Sequence, residues 1–83
     1  MQDYRVVENL IRQVEDEARK RNAGRVKKVY LALGEVLGFD ADVIRREYEK
    51  LSAGTVAQGS ELEIRWVIAG RDIYIEKIDV EAK

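Results

Sequence analysis

The strongest constraint on how this chain folds is a switch in the spacing of its apolar residues. Tyr4, Val7, Leu10, Ile11, Val14 and Ala18 recur at three and four residues, the stripe of one helix face. Val29, Leu31 and Leu33 then alternate with Lys28, Tyr30 and Ala32, the period of a strand buried on one side. A helix-period pattern does not settle as a strand, so helix and sheet must both be present, in that order. The first pattern predicts a helix over about residues 3–22. Glu15–Arg19, Asp16–Lys20 and Glu17–Arg21 place acid four residues before base on its exposed side. Asp3 and the run Arg19-Lys20-Arg21 lie where the helix dipole favours them, and Gly24 fits a stop. Gly34 ends the strand.

Asp40 reads as an N-cap for a second helix whose face carries Ala41, Ile44, Tyr48 and Leu51, with Gly54 as its stop and Val56–Ser60 as a loop. Leu62, Ile64, Trp66 and Ile68 alternate with Glu61, Glu63, Arg65 and Val67, a half-buried strand. Ala69-Gly70-Arg71-Asp72 reads as a type II′ hairpin turn. That register sets Ile68 against Ile73 and Trp66 against Ile75. A β-bulge near Glu76-Lys77 is then needed to bring Ile64 opposite Ile78 and Leu62 opposite Val80. The order α-β-α-β-β predicts an α+β fold: a small mixed three-stranded sheet with both helices packed on one face. The strand–helix–strand unit gives parallel strands, and the last two strands an antiparallel hairpin. The other face, with Tyr30, Ala32, Val67 and Tyr74, is left without cover, which favours a homodimer or a partner. Tyr4, Tyr30, Phe39, Tyr48 and Tyr74 include possible aromatic anchors, each at least as easily explained by packing, and Tyr4, Tyr30 and Tyr74 are the interface candidates.

Eighty-three residues make one domain, 1–83, of a size that buries about 60–65% of its unfolded surface. The chain has no His, no Cys and no Pro. Without Cys there is no disulfide, thiol chemistry or zinc–thiolate site, and without His the commonest metal ligand and general base is missing. No cofactor is expected. A net charge of −1 supplies no field for nucleic acid or an anionic membrane. The first residues are interrupted by Asp3, Arg5, Glu8 and Arg12 and do not read as a signal sequence, so a cytoplasmic protein is expected.

Chemistry-bearing clusters are few. Arg19, Lys20, Arg21, Arg25, Lys27 and Lys28 form a basic run, but neighbouring acids offset it and no aromatic platform is interleaved, so a solvated helix end is the better reading. Glu15, Asp16 and Glu17 point about 100° apart and cannot converge on one ion. Glu61 and Glu63 share a strand face and read as its polar side. Gly34 and Gly38 lack the Lys-Ser/Thr of a phosphate loop. Ser52, Thr55 and Ser60 have no histidine base, and Trp66 lies on the core parity. The chain does not read as an enzyme.

Together, several segments resemble a known family. Val14 to Lys20, Arg25-Val26-Lys27-Lys28-Val29, Leu33-Gly34-Glu35-Val36-Leu37-Gly38, Tyr48-Glu49 and Ala53 to Ile64 are similar in order and spacing to the nickel-binding domain of the HypA metallochaperones. Residues 72–81 look like that family's closing strand. The resemblance implies a protein that delivers nickel for hydrogenase, and in some organisms urease, together with a GTPase partner. It also implies a nickel site on a Met-His-Glu start and a CxxC…CxxC zinc ribbon between the last two long strands. Here the chain begins Met1-Gln2-Asp3, and Ala69-Gly70-Arg71 stands in the ribbon's place as a hairpin near 69–72. Gln2 lacks the imidazole nitrogen that suits Ni²⁺, so Met1, Gln2 and Asp3 read as vestigial nickel-site positions. With both metal sites missing, the expectation is a non-catalytic, engineered or minimised HypA-like scaffold, binding a designed protein partner. The alternative is a hydrogenase-maturation nickel-delivery protein, or a metal-free paralogue acting through protein contacts with the maturation GTPase.

Overall fold

The first apolar stripe becomes helix α1 (Gln2–Lys20), which buries Val7, Leu10, Ile11, Val14 and Ala18. The structure is a computed structural model describing residues 2–83, with side chains from Tyr4 onward. Of the three expected acid–base pairs only Glu17–Arg21 forms at four-residue spacing, while Arg19 and Lys20 reach back three residues to Asp16 and Glu17. The helix stops on Asn22 rather than Gly24. Asn22 takes the left-handed conformation (φ 53°), which its short polar side chain tolerates. Strand β1 (Ala23–Gly34) therefore starts well before the visible alternation. Gly24 and Lys27 are extra residues in its ladder, so Val26 and Val29 share a face although they are three apart.

A short 3₁₀ turn (Glu35–Leu37) follows β1, then helix α2 (Ala41–Ser52), strand β2 (Glu61–Val67) and strand β3 (Ile73–Ala82). Asp40 caps α2, its Oδ1 accepting from the backbone N–H of Asp42 (2.8 Å) and of Val43 (3.3 Å). Both helices lie on one face of the sheet. Ile44 and Tyr48 join the α1 stripe over Val29, Leu31, Leu62 and Ile78.

The strand order is β2-β1-β3, with β1 parallel to β2 and antiparallel to β3. The expected hairpin between the last two strands is not formed: β2 and β3 lie on opposite sides of β1. Burial decides this. Val29, Leu31, Ala32 and Leu33 are all fully buried, whereas β2 is half charged; the central place goes to the strand with most apolar surface to cover. Ile73, Ile75, Ile78 and Val80 accordingly pair with Leu33, Leu31, Val29 and Val26. The bulge at Glu76 is present, but against Tyr30 of β1, where it keeps Ile75 and Ile78 on the same face.

Since β2 and β3 flank β1, residues 68–72 must cross the end of the central strand. The Gly34 N–H donates to the Asp72 carbonyl (2.8 Å) and the Val36 N–H to the Gly70 carbonyl (3.0 Å). A Cβ on Gly34 would lie 2.5 Å from the Gly70 carbonyl oxygen, so only glycine permits this crossing. The positive φ in the turn belongs to Ala69 (58°), not to Gly70 as a type II′ turn would require.

Candidate functional site

The sheet face away from the helices is a lattice of charges centred on Tyr30. Parallel pairing puts Lys28, Tyr30 and Ala32 beside Glu61, Glu63 and Arg65; antiparallel pairing puts them beside Asp79, Lys77 and Tyr74. The Tyr30 hydroxyl donates to Asp79 Oδ2 (3.0 Å), and the ammonium groups of Lys28 and Lys77 lie 4.8 and 4.9 Å from its ring centroid. Lys28 also meets Glu63 (3.0 Å) and Glu61 (3.7 Å). Its hydrogen bond to Glu63, with Glu61 nearby, raises the ammonium above its ordinary pKa. Arg65 reaches across the small side chain of Ala32 to Glu76 on the far strand, with two parallel bonds of 2.9 and 2.7 Å. That fork holds the Glu76 carboxyl below its usual range and Arg65 above its own. The face expected to be without cover carries a network of its own ion pairs, with Tyr74 still exposed on it.

The interface candidates separate. Tyr30 and Tyr74 share this outer face, whereas Tyr4 sits in the first turn of α1, in the helical layer. Of the vestigial nickel-site positions, Met1 lies outside the described residues, and the backbone of Gln2 and Asp3 opens α1. Among the described residues no three His, Cys, Asp or Glu side chains converge as a metal-holding group. Glu61 and Glu63 both turn to Lys28.

Two further features carry polar chemistry. In the loop after α2, the Tyr48 hydroxyl meets Ser60 Oγ (2.6 Å), which donates to the Ala57 carbonyl (2.5 Å); burial raises the Tyr48 phenol, partly offset by Ser60. A groove of about 420 Å³ runs between the second half of α1 and the free edge of β3, where the Arg21 guanidinium donates to the Ile78 carbonyl (3.2 Å).

The residues that sequence reasoning missed lie at the end of the sheet where β1 and β2 finish. Ile68, on the core parity, is 83% exposed, and Trp66, assigned to the core, is 43% exposed. β2 is an edge strand, and its last residues run past the helical cover. Val36 and Leu37 are exposed beside them. Strand parity gives no sign of this, because parity names a face and not how far the covering helix extends.

The matches to known proteins follow the segments that build this arrangement. A family described as "Hydrogenase/urease nickel incorporation, metallochaperone, hypA" matches residues 1–70. The hydrogenase maturation factor HypA of Thermococcus kodakarensis is 36% identical over 63 residues, 76% of this chain and 45% of that protein. Its counterpart in Dechloromonas aromatica is 36% identical over 64 residues, 77% of this chain and 57% of that protein. The chain therefore spans about half the length of the curated relatives it matches. The solution structure of the Ni metallochaperone HypA from Helicobacter pylori superposes with a TM-score of 0.85 at 16% identity, covering 98% of both chains, a likeness of fold. Helix, central strand, second helix and parallel partner all fall inside the matched stretch, and with them the Gly34 crossing point: the chain belongs to the HypA family.

Proposed function

We propose that this chain serves hydrogenase maturation as a non-catalytic nickel-delivery protein of the HypA type, acting in the cytoplasm through contacts with a maturation GTPase. The observation that carries this reading is the family match over residues 1–70, with curated relatives named as hydrogenase maturation factors. Natural proteins account for the matched stretch, so the engineered-scaffold expectation gives way to its alternative. Nickel here is cargo. The donors available to it at the family's position are the Met1 amine, the Gln2 amide and the Asp3 carboxylate. In place of a zinc ribbon, the crossing at 69–72 closes the sheet through its bonds to Gly34 and Val36.

A second reading, a metal-free family member working through protein contacts alone, is favoured by Gln2 where the resemblance implies His. Calorimetric titration with Ni²⁺ of the chain and of Gln2→His separates the two. Micromolar binding by the unmodified chain supports nickel delivery. Binding by Gln2→His alone, with GTPase association unchanged, supports the metal-free reading. Failure of both to bind nickel, together with no association with a HypA-family maturation GTPase, would remove the maturation reading.

A further inference from the structure

The two edges of the sheet are finished differently. Along β3 the bulge at Glu76 interrupts the ladder, Lys77 stands beside it, and the Arg21 guanidinium occupies the Ile78 carbonyl (3.2 Å). A bulge, an edge lysine and a covering side chain each keep a strand edge from pairing with another chain. β2 has none of these. It runs in unbroken register with β1 from Glu61 to Val67 and contains neither lysine nor proline. Among the described residues, no group outside the sheet bonds to the backbone of residues 61–66. Its core-facing side is also incompletely covered, with Ile64 half-buried and Trp66 exposed.

This open edge is complementary to itself. An antiparallel pairing of β2 with a second β2, centred on Ile64, uses the whole strand. It sets Glu63 against Arg65 of the second copy, twice by symmetry, on the outer face. On the core face it sets Leu62 against Trp66, again twice, and Ile64 against Ile64. Centring on Glu63 or Arg65 instead puts like charges together at the axis, and a centre between two residues puts charged side chains opposite apolar ones. Arg65 holds Glu76 through Nε and Nη2, which leaves Nη1 for the second copy.

Helix α2 carries matching charges above the same edge. The Tyr48 hydroxyl meets Ser60 Oγ (2.6 Å), so the C-terminal half of α2 lies beside the start of β2 and the helix runs against the strand. Arg45, Glu49 and Ser52 line a groove with Ser60 and Leu62, on the side of α2 toward the free edge. Ile64 is about 7 Å past Leu62, a length that α2 covers in about five residues, so the turn from Arg45 to Glu49 lies above the axis. Neither Arg45 nor Glu49 has an ion-pair partner among the described residues, and base before acid is the weaker order within a helix. The two-fold brings each against the other's counterpart: Arg45 faces Glu49 of the second copy, twice. Asp42 falls opposite Ser52, and Arg46 and Lys50 are turned about 100° away from Arg45 and Glu49.

We propose that two copies of this chain associate through their β2 edges into one continuous sheet, with the two α2 helices side by side above the seam. The backbone of residues 61–67 supplies the pairing, Leu62 of each copy covers Trp66 of the other, and the Glu63–Arg65 and Arg45–Glu49 contacts fix the register. The pairing draws on no residue of the amino-terminal turn, so it stands whether or not nickel binds.

Sedimentation equilibrium of the full chain between about 10 µM and 1 mM tests it. One strand and one helix side make a small interface, so a reversible dimer with a dissociation constant on the order of 100 µM is expected. Arg45→Glu and Glu49→Arg should each weaken the dimer about tenfold, and the double swap should restore it. Melting of the dilute monomer should be unchanged in all three, because neither side chain has an ion-pair partner within the chain. Lys77→Ala, on the other edge, should leave association alone. Amide exchange within residues 61–67 should slow as concentration rises, while that of residues 74–79 stays constant. A monomer throughout the range, a dimer that the double swap fails to restore, or protection gained along β3 instead of β2 would each overturn the proposal.

Discussion

Where α1 hands over to β1, the loop after α2 is tied to its neighbours by hydrogen bonds. The Val26 N–H donates to the Val56 carbonyl (2.9 Å), and Thr55 Oγ1 donates to the Ser52 carbonyl (2.7 Å) while accepting from the Ala57 N–H (3.0 Å). Ala57, within that loop, is fully buried. At the opposite end, the backbone is tied down just as firmly at Gly34, Val36 and Gly70, yet Val36, Leu37, Trp66 and Ile68 leave apolar surface in solvent. A small domain has little burial to spare, and this one concentrates closure at one end and exposure at the other.

The comparison breaks first at Gly34, which belongs to the open end but supports the whole topology. Gly34→Ala places a methyl group 2.5 Å from the Gly70 carbonyl oxygen, and both neighbours are backbone. The crossing of residues 68–72 must then move, with a loss of about 3 kcal/mol in chemical denaturation. A change within error would mean that the crossing is loosely held. Next comes the closed end. Thr55→Val removes both hydroxyl bonds and leaves the Ala57 N–H unpaired beside a buried residue, an expected loss of about 2 kcal/mol. Ile68→Lys, measured in parallel, should cost almost nothing, because a side chain 83% exposed contributes little to folding. Equal losses for Thr55→Val and Ile68→Lys would erase the distinction between the ends.

Local signals were legible in the sequence, and long-range competition was not. The α1 stripe, the Asp40 cap and the alternation of Leu62 and Ile64 are set by neighbours a few residues away, and each stands in the structure as read. Strand order depends on which strand buries most. The hairpin reading paired β2 with β3 because they are adjacent in sequence, although Val29 to Leu33 had the stronger claim to the centre. The Glu76 bulge was legible because the alternation of Ile73, Ile75, Ile78 and Val80 breaks there whichever strand lies opposite. Bulges at Gly24 and Lys27 hid the first half of β1 by breaking its period. The exposed end of the sheet was hidden for a further reason. Nothing local says that Arg65 pairs with Glu76 across Ala32 or that Ile68, on the core parity, stays 83% exposed.

Ala69→Gly reverses the sign at the open end. Ala69 holds φ 58°, a left-handed conformation that strains alanine, which has a Cβ but no polar side chain of the kind that eases it at Asn22. Glycine relieves that strain but adds freedom to the unfolded chain, so a net gain of about 1 kcal/mol is expected. The melting temperature checks it. A loss instead would show that the Ala69 methyl group makes contacts worth more than the strain.

The smallest effect lies on the outer face, between the two ends, and appears as a pH dependence. Glu76 has its carboxyl pKa lowered by the hydrogen-bonded Arg65 guanidinium. A carboxyl whose folded pKa lies below its unfolded value of about 4.3 contributes stability that is complete above that value. The contribution is lost as pH falls through the lower folded value, because the protonated acid no longer attracts Arg65. Both side chains are partly in solvent, so the amplitude is modest and shrinks with salt. Parent and Glu76→Gln should therefore differ most in melting temperature near neutral pH and converge in acid, with the Thr55→Val difference unaltered over the same range. A Glu76→Gln difference that persists at low pH would assign its origin to packing over Ala32 rather than to charge.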